Sequence, residues 1–305
     1  GQVDVVIANL VHGPDGRWTA LDARPLYHWS KTVGYLYEAE LRHQLTRTVG
    51  VEWRTVRRGI ADVAEVPMQV VDEFSTRRHE IEAHLAENGF DSARSAQLAA
   101  YATRRMKDHT ATPESLVDTW QRRASELGFD CEQVCDRLNA GTLTLRWTGL
   151  VHLTPMFEHL AGPDGLTKTR STFGRREVIQ GICDRLPIGA PVADICEWAD
   201  LFIDSEHCTR LAGTKSAVIR TIDGRTVSAR TDERRFSTPD MLTTERRLIA
   251  AAVGCADAGV GLADPQVVDV AIGQRPSMSD EQVEMVRQLC TSGRGVDLVE
   301  GVAGA

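Results

Sequence analysis

Nine histidines occur in the chain, yet no two stand as His-x-His, so the simplest pairing of imidazoles on one strand is missing. Cysteine is scarce and odd in number, at positions 131, 135, 183, 196, 208, 255 and 290. The Cys131-x-x-x-Cys135 spacing has no second pair to complete a zinc site, and scattered thiols make no disulfide framework. Buried thiols in a reducing cytoplasm fit that usage. Positive charge is also short: 35 Lys and Arg face 43 Asp and Glu, for a net charge of -8. That balance gives no general case for nucleic-acid binding, and any DNA contact must be a local patch. No apolar run is long enough to span a membrane, and no signal peptide is apparent. There are only four tyrosines, Tyr27, Tyr35, Tyr37 and Tyr101; all fall in helical segments, where packing is their expected role.

What is present is ordinary globular sequence, 42% hydrophobic and 26% charged over 305 residues, enough for about two domains. Gly1 to Val11 opens directly in a strand-like apolar run without an initiator Met, which leads us to expect an internal fragment of a longer protein. Gly13-Pro14-Asp15-Gly16 predicts a hairpin turn, returning through Arg17 to Leu21. A long helix is expected from Pro25 to Thr48, with Leu26, Trp29, Val33, Leu36, Ala39 and Leu41 at helical spacing and Gly50 as its stop. Val51 to Arg58 alternates like a strand. Helices follow at Pro67–Phe74, Ser75–Asn88, Ser92–Lys107 and Thr112–Leu127, with Ser75 and Thr112 as N-caps and Gly89 and Gly128 as stops. A short one covers Cys131–Leu138. Composition changes near Asn139-Ala140-Gly141. Beyond it we expect helices at 155–160, 173–186 (capped by Thr172) and 192–204, and a hairpin over 215–230 across Asp223-Gly224. Further helices follow at 238–252, 265–272 and 279–289, and then a final strand. Three helices, a hairpin and a further helix resemble a winged-helix-like module.

The last ten residues, Val296 to Ala305, read V-D-L-V-E-G-V-A-G-A. By themselves they fit either a ragged Gly/Ala tail or a strand entering the opening of G-x-x-x-x-G-K-[ST], the loop whose backbone N–H groups cradle phosphates. In the second case Gly301, Gly304 and Ala305 belong to a partial ATP site that lacks its Lys and hydroxyl. One helix upstream, Ser277-Met278-Ser279-Asp280-Glu281-Gln282 places a Gln where many helicases contact the adenine. An N-cap at Ser279 or Asp280 accounts for the same residues without a ligand. Helix, strand and Gly-rich turn in this order favour the start of a RecA-like domain.

The segment Asn9-Leu10-Val11-His12-Gly13-Pro14-Asp15-Gly16-Arg17-Trp18-Thr19-Ala20-Leu21-Asp22-Ala23-Arg24-Pro25-Leu26-Tyr27 resembles the TraI/TrwC-type (MobF) conjugative relaxases, just after their metal strand. The similarity continues through Lys31-Thr32-Val33-Gly34-Tyr35-Leu36-Tyr37-Glu38-Ala39-Glu40-Leu41, Gly59-Ile60-Ala61-Asp62-Val63 and Phe74-Ser75-x-Arg77-Arg78. Ser171-Thr172-Phe173-x-Arg175-Arg176 looks like the start of their helicase portion. This resemblance implies a protein that nicks one DNA strand through an attacking Tyr, with a divalent metal held by three His polarising the phosphate, and then unwinds the duplex with ATP. Mg or Mn and ATP are the cofactors of that family, and DNA and the conjugation machinery its partners. In the family, His-x-His stands where this chain has Gln2-Val3-Asp4, and the nucleophile belongs to sequence ahead of Gly1. No catalytic residue, metal ligand or cofactor is therefore expected here.

The resemblance sets the expected architecture: an α+β, mostly helical chain, with the C-terminal part of a relaxase domain over 1–140. A winged-helix-like connector and the beginning of a helicase would occupy 141–305. DNA contact is expected at Arg17, Trp18, Arg24 and Lys31, the residues around the hairpin that lie beside the DNA cleft in the resembled family. Arg54/Arg57/Arg58 and Arg104/Arg105/Lys107 are lesser basic groups, and Trp18 and Trp29 are possible stacking platforms. Two other readings remain open: a non-enzymatic DNA-binding or scaffold protein, and a remnant of a mobile element.

Overall fold

The structure is a computed structural model that describes residues 8–87, 99, 103, 112–140, 153–212, 218–220, 226–228, 234–256 and 258–301. It is mostly helical, and the chain divides into two compact units, 1–236 and 237–305. No helix among the described residues is long and apolar enough to cross a membrane.

The first unit opens with the antiparallel pair β1 (Val11–His12) and β2 (Trp18–Thr19). Gly16, at φ 75, closes the turn as its composition requires, and its N–H donates to the Gly13 carbonyl at 3.0 Å. Helix α1 (Arg24–Val49) carries Pro in its first turn and ends at Gly50 in the left-handed conformation. Residues 51–64 make no regular strand. Isolated bridges Trp53↔Val63 and Arg57↔Ile60 fold them into an irregular hairpin instead. Helices α2 (Met68–Phe74), α3 (Thr76–Glu87), α4 (Pro113–Glu126) and α5 (Cys131–Ala140) follow. Thr112 caps α4 through a capping box, as expected. Ser75 turns its hydroxyl back onto the Val71 carbonyl at 2.7 Å rather than forward onto α3. The helix expected over 92–107 lies outside the described residues apart from Ala99 and Thr103.

Helices α6 (Leu153–Ala161), α7 (Arg175–Asp184) and α8 (Val192–Ile203) come next. Strand β3 (Thr209–Arg210) pairs with β6 (Phe236–Ser237), and between them lies the antiparallel hairpin of β4 (Val218–Arg220) and β5 (Thr226–Ser228). Phe173 bridges Phe236 just ahead of α7. Gly174, not Thr172, is the N-cap of α7: Glu177 reaches back to accept from the Gly174 N–H at 2.7 Å. Thr172 is occupied elsewhere, with its carbonyl and hydroxyl both accepting from Arg235.

The core of this unit joins α1 to α6, α7 and α8. Tyr35 and Ala39 from α1 are buried with Met156, Phe157, Leu160, Val178, Ile179, Ile182, Ile195, Ala199 and Phe202. This shifts the buried face of α1 from the one hydropathy predicts: Ala39 is buried and Trp29 and Leu36 are partly buried as expected, but Leu26 and Val33 are not. The inward stripe is Thr32, Tyr35, Ala39, Arg42, His43 and Thr46, while Val33 is 57% and Leu26 46% exposed. Small Thr32 and Ala39 admit close approach, and the polar members of the stripe are accommodated by specific partners. Gln180 donates to the Thr32 hydroxyl at 2.7 Å. Arg176 donates to the His28 carbonyl at 2.8 Å. Glu40 accepts from the Val192 N–H at 2.9 Å, so α1 supplies the cap of α8. Gly189, at φ 70, runs so close to the Ala39 carbonyl that a Cβ would collide with it. Helix α1 is built into the core formed with residues 153–236, and the compact units part after Phe236.

The second unit holds α9 (Pro239–Gly254), α10 (Pro265–Gly273) and α11 (Asp280–Thr291), each with a side-chain N-cap, from Thr238, Asp264 and Ser279 respectively. Val260 and Ala263 donate to the carbonyls of Gly293 and Cys290, and Arg287 pairs with Asp269 at 3.0 Å. The strand expected from Val296 onward is not formed among the described residues. Residues 296–301 carry no ladder, and Leu298 is 97% exposed. An apolar run needs a neighbouring strand to satisfy its backbone, and the described residues of this unit supply none.

Candidate nucleic-acid interface

The β1–β2 hairpin stands almost wholly in solvent, from residue 8 to residue 20. Local bonds shape it. Asn9 Oδ1 accepts from the Leu21 N–H at 2.9 Å and closes the base, while Asp15 Oδ1 accepts from the Arg17 N–H at 3.1 Å and orders the tip. Trp18 is 63% exposed, with only the His12 ring beside it at 4.9 Å between centroids and 50° between planes. An exposed Trp on a two-stranded ribbon is a ready stacking surface, and the Arg17 guanidinium beside it is exposed.

The other two expected contacts differ from Arg17 in their surroundings. Arg24 forks onto Asp22, with Nε to Oδ1 at 2.9 Å and Nη2 to Oδ2 at 2.7 Å. The side-chain and backbone hydrogen bonds from Arg24 hold the Asp22 carboxyl down at about 2. Arg24 therefore brings a compensating negative charge with it, and its pull on a phosphate is weaker than its sequence position implies. Lys31 is exposed one helical turn before Tyr35, with Nζ 5.5 Å from the centre of the Tyr35 ring.

The lesser basic groups also separate. Arg54 is structural: its Nη2 donates to the carbonyls of Ala64 at 3.1 Å and Val66 at 2.8 Å, closing the irregular hairpin. Arg57 and Arg58 sit exposed at the tip of that hairpin. Arg104, Arg105 and Lys107 lie outside the described residues. Trp29 is partly buried against the core, and of the remaining tyrosines Tyr27 is 80% and Tyr37 56% exposed.

At the other end, the Gln282 side chain is engaged in the cap of α11. Its Oε1 accepts from the Ser279 N–H at 3.1 Å, and the Ser279 hydroxyl accepts from the Gln282 N–H at 3.3 Å. Gly301 has open space around its Cα, and Gly304 and Ala305 lie outside the described residues. Gln2 and Asp4 lie outside them as well. Among the described residues no three His, Cys, Asp or Glu side chains converge on a common point.

Sequence reasoning missed Arg42 and Asp184, which fix the Arg57–Ile60 turn from below. Asp184 Oδ1 accepts from the Gly59 N–H at 2.6 Å, and Arg42 Nη1 donates to the Gly59 carbonyl at 2.7 Å. Arg42 also reaches the carbonyls of Cys183 at 3.3 Å and Leu186 at 3.4 Å, at the C-terminal end of α7. Asp184 lies 125 residues from Gly59, and no local signal reveals such a pairing.

Residues 3–127 match the TrwC relaxase family model. Among solved structures, the conjugative relaxase TrwC in complex with OriT DNA, in a metal-free structure, is 32% identical, over 40% of this chain and 43% of that one, with a TM-score of 0.37. TrwC complexed with a 27-mer DNA comprising the recognition hairpin and the cleavage site gives 32% identity over 40% and 44%, with a TM-score of 0.37. The chain thus spans less than half the length of the solved relaxases it matches. No curated protein sequence matches it.

Proposed function

Taking the match of residues 3–127 to the TrwC relaxase family as premise, we propose that this chain is a DNA-binding part of a conjugative relaxase–helicase. The observation that carries this reading is the solvent-exposed β1–β2 hairpin, with Trp18 and Arg17 at its tip, inside the matched segment. Its partner is DNA, single-stranded or carrying an origin of transfer, in the cytoplasm of a cell that holds conjugation machinery. In the full protein the activity would be strand-specific nicking by transesterification followed by ATP-driven unwinding. In this chain we do not expect nicking, because Gln2 and Asp4 are poor substitutes for paired imidazoles.

The order α6, Phe173 bridge, α7, α8, β3, β4–β5 hairpin, β6 supports a winged-helix-like connector leading into a RecA-like helicase domain. Helix α8 carries Asp194, Glu197 and Asp200 and no Lys or Arg, although Asp200 is paired with Arg175 at 2.7 Å, so it is a poorer phosphate contact than the hairpin. The hairpin is the contact instead. A non-enzymatic DNA-binding or scaffold role is the second reading, favoured by the replaced metal donors.

The test is binding of the chain to fluorescent single-stranded DNA across a salt series. The triple variant Arg17→Ala, Arg24→Ala, Lys31→Ala is compared, with circular dichroism as the folding control. Each lost phosphate contact should flatten the slope of log K against log salt by about 0.7. Unchanged affinity and slope would remove this face from consideration, and a covalent adduct on origin-bearing plasmid with Mg or Mn would refute the inactivity.

A further inference from the structure

The geometry points to the Arg57–Ile60 turn as a second phosphate-contact element, in which Arg57 and Arg58 act with Lys31 around Tyr35 and Asp184 is the positioning residue. This deepens the DNA-binding reading above and rests on it.

Four observations converge. First, the turn is a two-residue hairpin loop closed by both Arg57–Ile60 backbone hydrogen bonds, at 2.8 and 3.2 Å. Both loop residues have positive φ, 54° at Arg58 and 82° at Gly59, and Arg58 is the only non-glycine residue in that region among the described residues. Loops of this kind prefer Asn-Gly or Asp-Gly, because short polar side chains tolerate the left-handed conformation. An Arg there is a local sacrifice, and strain of this kind persists where the surrounding structure holds it in place.

Second, the surroundings do hold it. The Gly59 peptide is gripped on both sides, its N–H by Asp184 and its carbonyl by Arg42. A Cβ at position 59 would lie 2.8 Å from the Tyr35 ring, so the loop is seated directly on that side chain. Third, the two guanidiniums are not consumed. Both residues are exposed, and neither side chain is hydrogen-bonded or ion-paired within the described residues, in contrast to Arg24 and Arg54. Fourth, the loop lies beside a positive group that the sequence placed elsewhere. Lys31 Nζ sits 5.5 Å from the same Tyr35 ring, and Arg58 is near enough to act electrostatically on the Tyr35 phenol, opposing Asp184. Lys31 and Arg58 are thus both within electrostatic reach of one buried Tyr, with Arg57 exposed in the same turn, in a chain whose net charge is -8. A phosphodiester backbone is the ligand chemistry that such a cluster fits.

The experiment uses the full chain and a fluorescent single-stranded oligonucleotide over a salt series. Arg57→Ala with Arg58→Ala should flatten the salt slope by about 1.4, at about 0.7 per contact. Arg58→Asn should melt at or above the wild-type temperature, because Asn suits the turn, and still lose about 0.7 of slope. Asp184→Ala should weaken binding even though it removes a negative charge. Asp184→Asn, whose carbonyl can still accept from Gly59, should bind at least as tightly as wild type. The proposal is overturned by a double variant with wild-type slope, by Arg58→Asn melting lower with binding unchanged, or by Asp184→Ala binding more tightly than wild type. If the unmodified chain binds no DNA, the broader reading fails as well. If it binds and only the hairpin variants lower the slope, this proposal alone fails.

Discussion

Replacing Arg42 tests how α1 is locked to the rest of its unit. The side chain is fully buried, and burial pushes its pKa below the ordinary value, although a guanidinium remains charged. It finds no carboxylate within hydrogen-bonding distance; it donates instead to three carbonyls, of which only that of Gly59, at 2.7 Å, is close, and its Nε has no partner. Arg42→Met keeps most of the stem and removes the buried charge, but strands the Gly59 carbonyl at about 1–3 kcal/mol. Losing the two longer bonds adds a little, and relief from burying the charge subtracts. The expected net cost is about 1–3 kcal/mol. Arg42→Ala also deletes buried methylenes at about 0.8 kcal/mol each, for a total of about 3–5 kcal/mol. Urea unfolding followed by circular dichroism reads both, and at about 1–3 kcal/mol per molar the Ala variant should shift the midpoint by one to several molar. The reasoning fails if Arg42→Met is as stable as wild type, since water would then be satisfying those carbonyls and the clamp would contribute nothing.

Three other substitutions probe the same unit. Glu40→Ala should cost about 0.5–2 kcal/mol by uncapping α8, read as a lower urea midpoint. The Glu40 carboxyl is held below its ordinary pKa, first by Gln44 and then by the Val192 N–H; its stabilisation is complete above the ordinary carboxylate range and is lost as pH falls below it. The Glu40→Ala penalty should therefore shrink in acid. Gly59→Ala should destabilise by more than about 1 kcal/mol, from positive φ and contact with Tyr35, with a lower melting temperature as the measurement. Burial pushes the Cys183 and Cys208 thiols up to about 12, so at pH 8 a thiol reagent should label exposed Cys135 and spare both until the protein unfolds. Rapid native labelling of Cys183 would contradict its burial.

Local chemistry made much of this chain legible in sequence. Pro25 and Gly50 bracket α1, Thr112, Thr238 and Ser279 start their helices, and Gly13 to Gly16 make the hairpin turn, because caps and turns depend on residues a few positions apart. The Arg17–Trp18 tip was legible for the same reason: no distant partner competes for it. The tertiary structure alone decided which face of α1 turns inward. Hydropathy favoured Leu26, Val33 and Ala39, but packing against α7 and α8 kept only Ala39 of these and selected Thr32 and Arg42, which meet the Gln180 side chain and the Cys183 and Leu186 carbonyls well over a hundred residues away. Likewise Arg24, Arg54 and Arg58 are equivalent letters in the sequence. Only folding gave the first a carboxylate, the second two carbonyls, and the third an open place beside Lys31, because the availability of a charge is set by neighbours the chain must fold to acquire.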